Sequence, residues 1–163
     1  MVLTENSRYV PAWDSQAMNN AASGDWISLK GYQRVLIMVA LKRGNDTTAC
    51  SITLDKATDT SGSGAVAGIT INNWWALTDY VINTSTSTLP TKGTAGTSIA
   101  CSTTASKTSY YYIDIDAAEL GNYDCIRVKL EASNAANTSW AAYLLYNPRY
   151  AQAQGGAVEP IAD

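Results

Sequence analysis

Apolar residues recur at every second position along much of the chain. In ACSITLDKAT, residues 49–58, Cys50, Ile52 and Leu54 share one phase and Ser51, Thr53 and Asp55 the other. That is the pattern of a half-buried antiparallel strand. YDCIRVKLEA (123–132) repeats it, with Ile126, Val128 and Leu130 set against Tyr123, Cys125, Arg127 and Lys129. TSYYYIDID (108–116) sends Ile113 and Ile115 inward, opposite Tyr110, Tyr112, Asp114 and Asp116. WISLK (26–30), ITINNWWALT (69–78) and SWAAYLLYN (139–147) read as further strands, and QRVLIMVALK (33–42) reads as a strong buried strand. Between them lie turn-forming stretches: RGND, DTSGSGAVAG, the polar run 83–98 (a loop or weak edge strands) and SNAANTS. No stretch has sustained helical periodicity and there is no internal repeat.

Such spacing predicts an all-β protein, an antiparallel β-sandwich of about eight strands over residues 26–147, of jelly-roll type. Residues 1–25 lack sustained periodicity and contain Pro11 and the polar NNAASGD. They predict an extended N-terminal arm with one short helical turn near Ser15 to Asn20. Pro148 ends the last strand, and residues 148–163 predict a C-terminal tail.

Composition narrows the chemistry. The 163 residues fit one domain with a real core. Histidine is absent, which removes Ser-His-Asp and Cys-His nucleophilic sites and histidine metal ligands. Charged residues make up 15% and the net charge is −3, with Lys and Arg scattered and no basic stripe, so a nucleic-acid partner is not expected. Phe is absent, and ten Tyr and five Trp carry the aromatic bulk, each with a polar handle suited to half-wet places such as interfaces. The three cysteines are too widely spaced for a zinc site and read as reduced, small apolar side chains. Cys125 shares its phase with Arg127 and Lys129, outside the main core. The start of the chain carries no legible secretory signal and the longest apolar run, VLIMVAL, is too short to span a bilayer as a helix. The expectation is a soluble protein, made in a cytoplasm, with no membrane partner.

The strongest chemical motif is YYYIDIDAAEL, residues 110–120. In a strand Asp114 and Asp116 share a face at about 7 Å, a plausible glycosidase spacing. Asp116-Ala-Ala-Glu119 also reads as a capping box closed by Gly121, and this accounts for more of the residues. A calcium loop would need further oxygen ligands and a fixed glycine. SGSGAVAG lacks the Lys-Ser/Thr of a phosphate loop and reads as a hairpin loop. Trp74 and Trp75 point to opposite faces, one core and one surface. Ser106-Lys107 has no supporting pattern. The sequons at Asn45, Asn83 and Asn137 arise readily by chance in a chain so rich in Thr. No catalytic, cofactor or metal-ligating residue is predicted. Two groups pair Arg with aromatics near the termini: Arg8, Tyr9 and Trp13, and Tyr146, Arg149 and Tyr150. These residue types dominate interface hot spots, so both groups are candidate partner contacts.

The succession WISLKGYQRVLIMVAL, SITLDKATDTSGSGA, YYIDIDAAEL, YDCIRVKLEAS and YLLYNPRYA, covering most of residues 26–150, resembles small proteins encoded beside the major capsid gene of tailed bacteriophages. These are capsid decoration, or cement, proteins with a jelly-roll fold. The resemblance implies binding to the outer surface of a phage head, assembly as a homo-dimer or homo-trimer over junctions of the major capsid protein, and no catalysis. It supplies no site motif. A fully extended arm of 25 residues reaches roughly 80 Å, enough to touch a neighbouring subunit. The rival expectation is a carbohydrate-binding β-sandwich module of a fibre or adhesin, and third comes a hydrolase on Asp114 and Asp116.

Overall fold

Period-two alternation becomes two antiparallel sheets packed face to face. The computed structural model of the chain describes residues 7–80 and 89–149. In chain order the strands are β1 (Ser7–Ala17), β2 (Ala22–Ser23), β3 (Ile27–Ser28), β4 (Tyr32–Lys42), β5 (Ser51–Ala57), β6 (Trp74–Tyr80), β7 (Thr91–Lys92), β8 (Ile99–Ala100), β9 (Thr108–Asp116), β10 (Cys125–Leu130) and β11 (Thr138–Pro148). The larger sheet has the order β1-β11-β4-β9-β6-β7 and the smaller β2-β10-β5-β8, with β3 also pairing β10. Five antiparallel pairings nest within one another: β1 with β11, β2 and β3 with β10, β4 with β9, β5 with β8, and β6 with β7. No α-helix occurs among the described residues, and none of their helices could cross a membrane.

The core lies between the sheets. Val35, Ile37, Val39 and Leu41 of β4, Ile113 and Ile115 of β9 and Leu145 of β11 meet Ile52 and Leu54 of β5 and Ile126, Val128 and Leu130 of β10, all at most 1% exposed. Tyr143 is fully buried and ties the layers together: its hydroxyl accepts from the Val128 amide at 2.9 Å and donates to the Asp25 carbonyl at 3.3 Å. Such a bond is what makes a tyrosine hydroxyl tolerable in a core. All three cysteines are free thiols and buried. Cys125 is outside the main apolar cluster, as its phase predicts.

Two expectations need correction. Residues 7–17, read as part of an arm, form β1, which pairs with β11 from Ser7↔Tyr146 to Ala17↔Thr138. Val10 and Met18 are buried in the common core with Trp13. Register shifts between Pro11 and Trp13, and again before Gln16, interrupt the alternation. A bulge inserts an unpaired residue and breaks the period on which strand recognition rests, and Pro11 is tolerated because β1 is an edge strand. Of the helical turn expected near Ser15 to Asn20, Ser15 to Ala17 instead end this strand, and a non-helical turn follows at Met18 and Asn19. The second correction concerns β4. Its apolar run is not buried on both sides: Val35, Ile37, Val39 and Leu41 are buried, while Leu36, Met38 and Ala40 are only half-buried.

After β9 the chain makes one 3-10 turn, Ala117–Leu120. Here the capping box is formed as read: Asp116 Oδ1 accepts from the Ala118 amide at 2.9 Å, and Glu119 Oε1 accepts from the Asp116 amide at 3.2 Å. Gly121 closes the turn with φ 66°, a conformation costly for any residue with a Cβ.

Candidate functional site

Strand register fixes which side chains share the outer face of the larger sheet. Directly opposed residues point the same way, so three rows cross it. The first runs Tyr9, Leu144, Leu36 and Asp114; the second Pro11, Ala142, Met38, Tyr112 and Trp75; the third Trp140, Ala40, Tyr110 and Leu77. Of these only Ala142, small and beneath larger neighbours, is buried. Tyr9 is 54% exposed, Pro11 is also exposed, and the others are half-buried. No described strand packs across this face; the smaller sheet covers the opposite one. Its extent is on the order of 600 Å², from strand and residue spacing. That matches the largest apolar patches of ordinary monomers.

The aromatic groups are already in order. Tyr80 and Tyr110 meet edge to face with ring centroids 6.3 Å apart, and the Lys92 ammonium lies 5.8 Å from the centre of the Trp75 ring. Trp74, on the other phase, packs on the core with its indole N–H donating to the Thr94 carbonyl at 2.9 Å. Gly93 allows this, because a Cβ there would meet the Trp74 ring at 1.9 Å. The expected split of the two tryptophans, one core and one surface, is what the register produces.

One polar cluster interrupts the face. Arg34 grips Asp114 with two nitrogens, and the Tyr146 hydroxyl donates to Asp114 Oδ1 at 2.7 Å. Asp114 raises the pKa of Arg34 by hydrogen bonding. Burial, then the bond to Asp114, pushes Tyr146 up to about 12. Both oxygens of Asp114 are therefore engaged and Asp116 is spent on the cap, so the two carboxylates do not form an open pair. Among the described residues no group of three or more His, Cys, Asp or Glu side chains is placed to hold a metal ion.

The six predicted contact residues separate. Tyr9 and Tyr146 come together on the outer face, because β1 and β11 are neighbours. Arg8 is half-buried on β1. Trp13 is turned inward, 9% exposed, with its indole N–H on Ser139 Oγ at 3.2 Å, and cannot serve as an exposed contact. Arg149 is tethered to the body, its Nε donating to the Tyr32 carbonyl at 3.1 Å. Tyr150 lies outside the described residues. Asn137, a sequon residue, is fully buried: its amide links the Gly44 N–H, Asp46 and Ser133. Sequence reasoning placed Tyr112 and one of the two tryptophans outward but missed the rest of the centre of the face: Leu36, Met38, Trp140 and Leu144. The signal was present in VLIMVAL, since apolar residues in both phases demand cover on both sides.

The outer face of the smaller sheet is built differently. Asp55, 2% exposed, receives Arg127 Nε and Nη2 at 3.1 and 3.0 Å and lies 3.4 Å from Lys129 Nζ. The Arg127 guanidinium stacks 4.4 Å from the Trp26 ring centre. Gly62, with φ 81°, lets its loop close over Trp26, for a Cβ would lie 2.5 Å from the indole nitrogen.

No family model and no curated protein matches the chain. Among solved structures it is similar to the SPBc2 prophage-derived protein YomS, with 11% identity, 85% of this chain and 93% of that chain covered, and a TM-score of 0.46. It is also similar to a chain of the infectious bursal disease virus Gt strain structure, with 11% identity, 96% and 44% covered, and a TM-score of 0.27. Neither likeness is close enough to carry a function across.

Proposed function

We propose that the chain is a structural virion protein: a decoration, or cement, protein on the outer surface of a phage head that stabilises contacts between major capsid subunits. The observation that carries this reading is the uncovered aromatic face of the larger sheet. A face of this size is close to the ~800 Å² that each partner contributes to a standard interface. Its Tyr and Trp residues supply contact area with few rotatable bonds. One neutralised ion pair on it keeps the cost of desolvating charge low. A rigid sandwich repeated over a lattice turns a modest contact into a large summed effect. Self-association as a dimer or trimer through the same face belongs to this proposal. So does a jelly-roll reading of the fold, since nested antiparallel pairs are what a long hairpin forms when it rolls into two sheets. Catalysis has no part in it, with Asp114 and Asp116 both occupied structurally.

Trp75 beside Tyr112 favours a second reading, in which the face stacks on sugar rings of a glycan.

The deciding test is co-sedimentation with heads of the encoding phage lacking this protein. The wild-type chain should bind to saturation, and Met38→Glu, which places a charge at the centre of the face, should lose binding while melting at an unchanged temperature. Full occupancy by the variant would sink the proposal. A tryptophan fluorescence change with polysaccharide, lost in Trp75→Ala, would favour the glycan reading instead.

A further inference from the structure

We propose that Cys50 and Cys101 form a reversible disulfide that clamps the short edge strand β8 to β5. The register Ile52↔Ile99 and Ser51↔Ala100, extended by one residue, places Cys50 opposite Cys101. The Cys101 amide donates to the Cys50 carbonyl at 3.0 Å, so the pairing continues to this point. Opposed residues of a hydrogen-bonded antiparallel pair have Cα atoms about 5.5 Å apart, within the span a disulfide bridges. Their side chains leave the sheet on the same side. Cys125 lies elsewhere, opposite Ala57 and Ser28 on β10, and serves as an internal control.

The two thiols are chemically unequal. Arg43, itself 2% exposed, donates from Nη2 to Cys50 Sγ at 3.3 Å, while its other nitrogens bond the carbonyls of Ser102 and Thr48 and the Ser133 hydroxyl. The hydrogen bond from Cys101 and then the charge of Arg43 hold the Cys50 thiol below its ordinary value. The bond to Cys50 and burial push Cys101 up. Cys50 is thus the attacking sulfur and Cys101 the resolving one. Each is 5% exposed and belongs to the core cluster, so an oxidant reaches the pair when the short β8 edge opens.

The oxidant is a low-molecular-weight disulfide such as oxidised glutathione. The Cys50 thiolate attacks one of its sulfurs; that S–S bond breaks and one glutathione thiolate leaves. Cys101 then attacks Cys50 Sγ in the mixed disulfide and expels the second. Two protein thiols are oxidised, one glutathione disulfide is reduced, and the two protein protons end on the two glutathione thiols. Since β8 is held to β5 by only two register pairs, the clamp would secure this edge of the smaller sheet.

The test is equilibration of the native full chain in glutathione buffers of graded oxidation, followed by alkylation and non-reducing peptide mapping. The expected product is a Cys50–Cys101 cross-link with Cys125 alkylated, and a melting temperature raised by about 5–15 °C that returns on reduction. In Cys101→Ser the glutathione adduct should accumulate at Cys50, whereas Cys50→Ser should leave Cys101 unmodified. Three free thiols at every redox poise, a cross-link through Cys125, or a linked pair with unchanged melting would each overturn the proposal.

Discussion

The two outer faces of the sandwich make opposite demands. On the smaller sheet the charged residues pair with one another: Asp55 draws Arg127 and Lys129 onto Oδ2 while its Oδ1 is buried without a hydrogen-bond partner, Trp26 lies against the guanidinium, and the Gly62 loop closes over the indole. On the larger sheet the register lines up aromatic and aliphatic side chains in rows that nothing described covers, with Arg34, Asp114 and Tyr146 as one neutral polar island. Both sheets rest on the same core, so the core does not impose this difference. It is a property of the outward phase alone. A face whose charges pair within the chain serves the fold, and its mutations should register as stability. A face that leaves apolar area in water serves contact, and its mutations should register as association.

The largest expected effect tests whether the edge carrying Tyr9 and Pro11 belongs to the sheet at all. Trp13→Ala should cost about 3–5 kcal/mol in chemical denaturation, the range for truncating a buried aromatic. A loss below about 1 kcal/mol would return residues 7–17 to the role of a dispensable arm. Next in size is the charge cluster on the smaller sheet. Asp55→Asn should cost about 2–3 kcal/mol, below the full cost of breaking a buried pair, because both cations are partly exposed and can turn to water. It should leave self-association and head binding unchanged. If it abolished association at full stability, the division of labour between the faces would be wrong.

The smallest effect is a slope with pH. Tyr146 keeps its proton in the folded chain up to about 12, against an ordinary value of 10. The unfolded chain binds fewer protons from about pH 10 upward, so this contribution to stability is whole below pH 10 and is lost as the pH rises from there to about 12. Melting followed alongside tyrosinate absorbance should show that decline, and Tyr146→Phe should flatten part of it. An identical slope in the variant would mean that the island around Asp114 does not hold the phenol.

Much of the fold was legible because alternation is a local signal. Ile52 and Leu54, Ile126, Val128 and Leu130, and Ile113 and Ile115 announce their inward phase within a few residues, and Asp116 with Glu119 announces its cap. β1 was hidden by a bulge and an edge proline, which break the period without breaking the strand. The candidate face was half legible. The run through Leu36 and Met38 carries too many apolar residues for one covered side, yet no local pattern states whether the second cover is the chain itself or something beyond it. That depends on pairings such as Met38↔Tyr112 and Tyr112↔Trp75, which join residues far apart in sequence. The same holds for Asp55 with Arg127, a pair that only the β5–β10 register creates.

Sedimentation equilibrium of the full chain beside Met38→Glu tests the central claim most directly. The wild type should self-associate with a dissociation constant on the order of 1–100 μM, worth about 5–8 kcal/mol, and the variant should sediment as a monomer with unchanged melting. A wild type that stays monomeric at about 1 mM, or a variant that associates equally well, would contradict the assignment of the larger sheet's outer face as the contact surface.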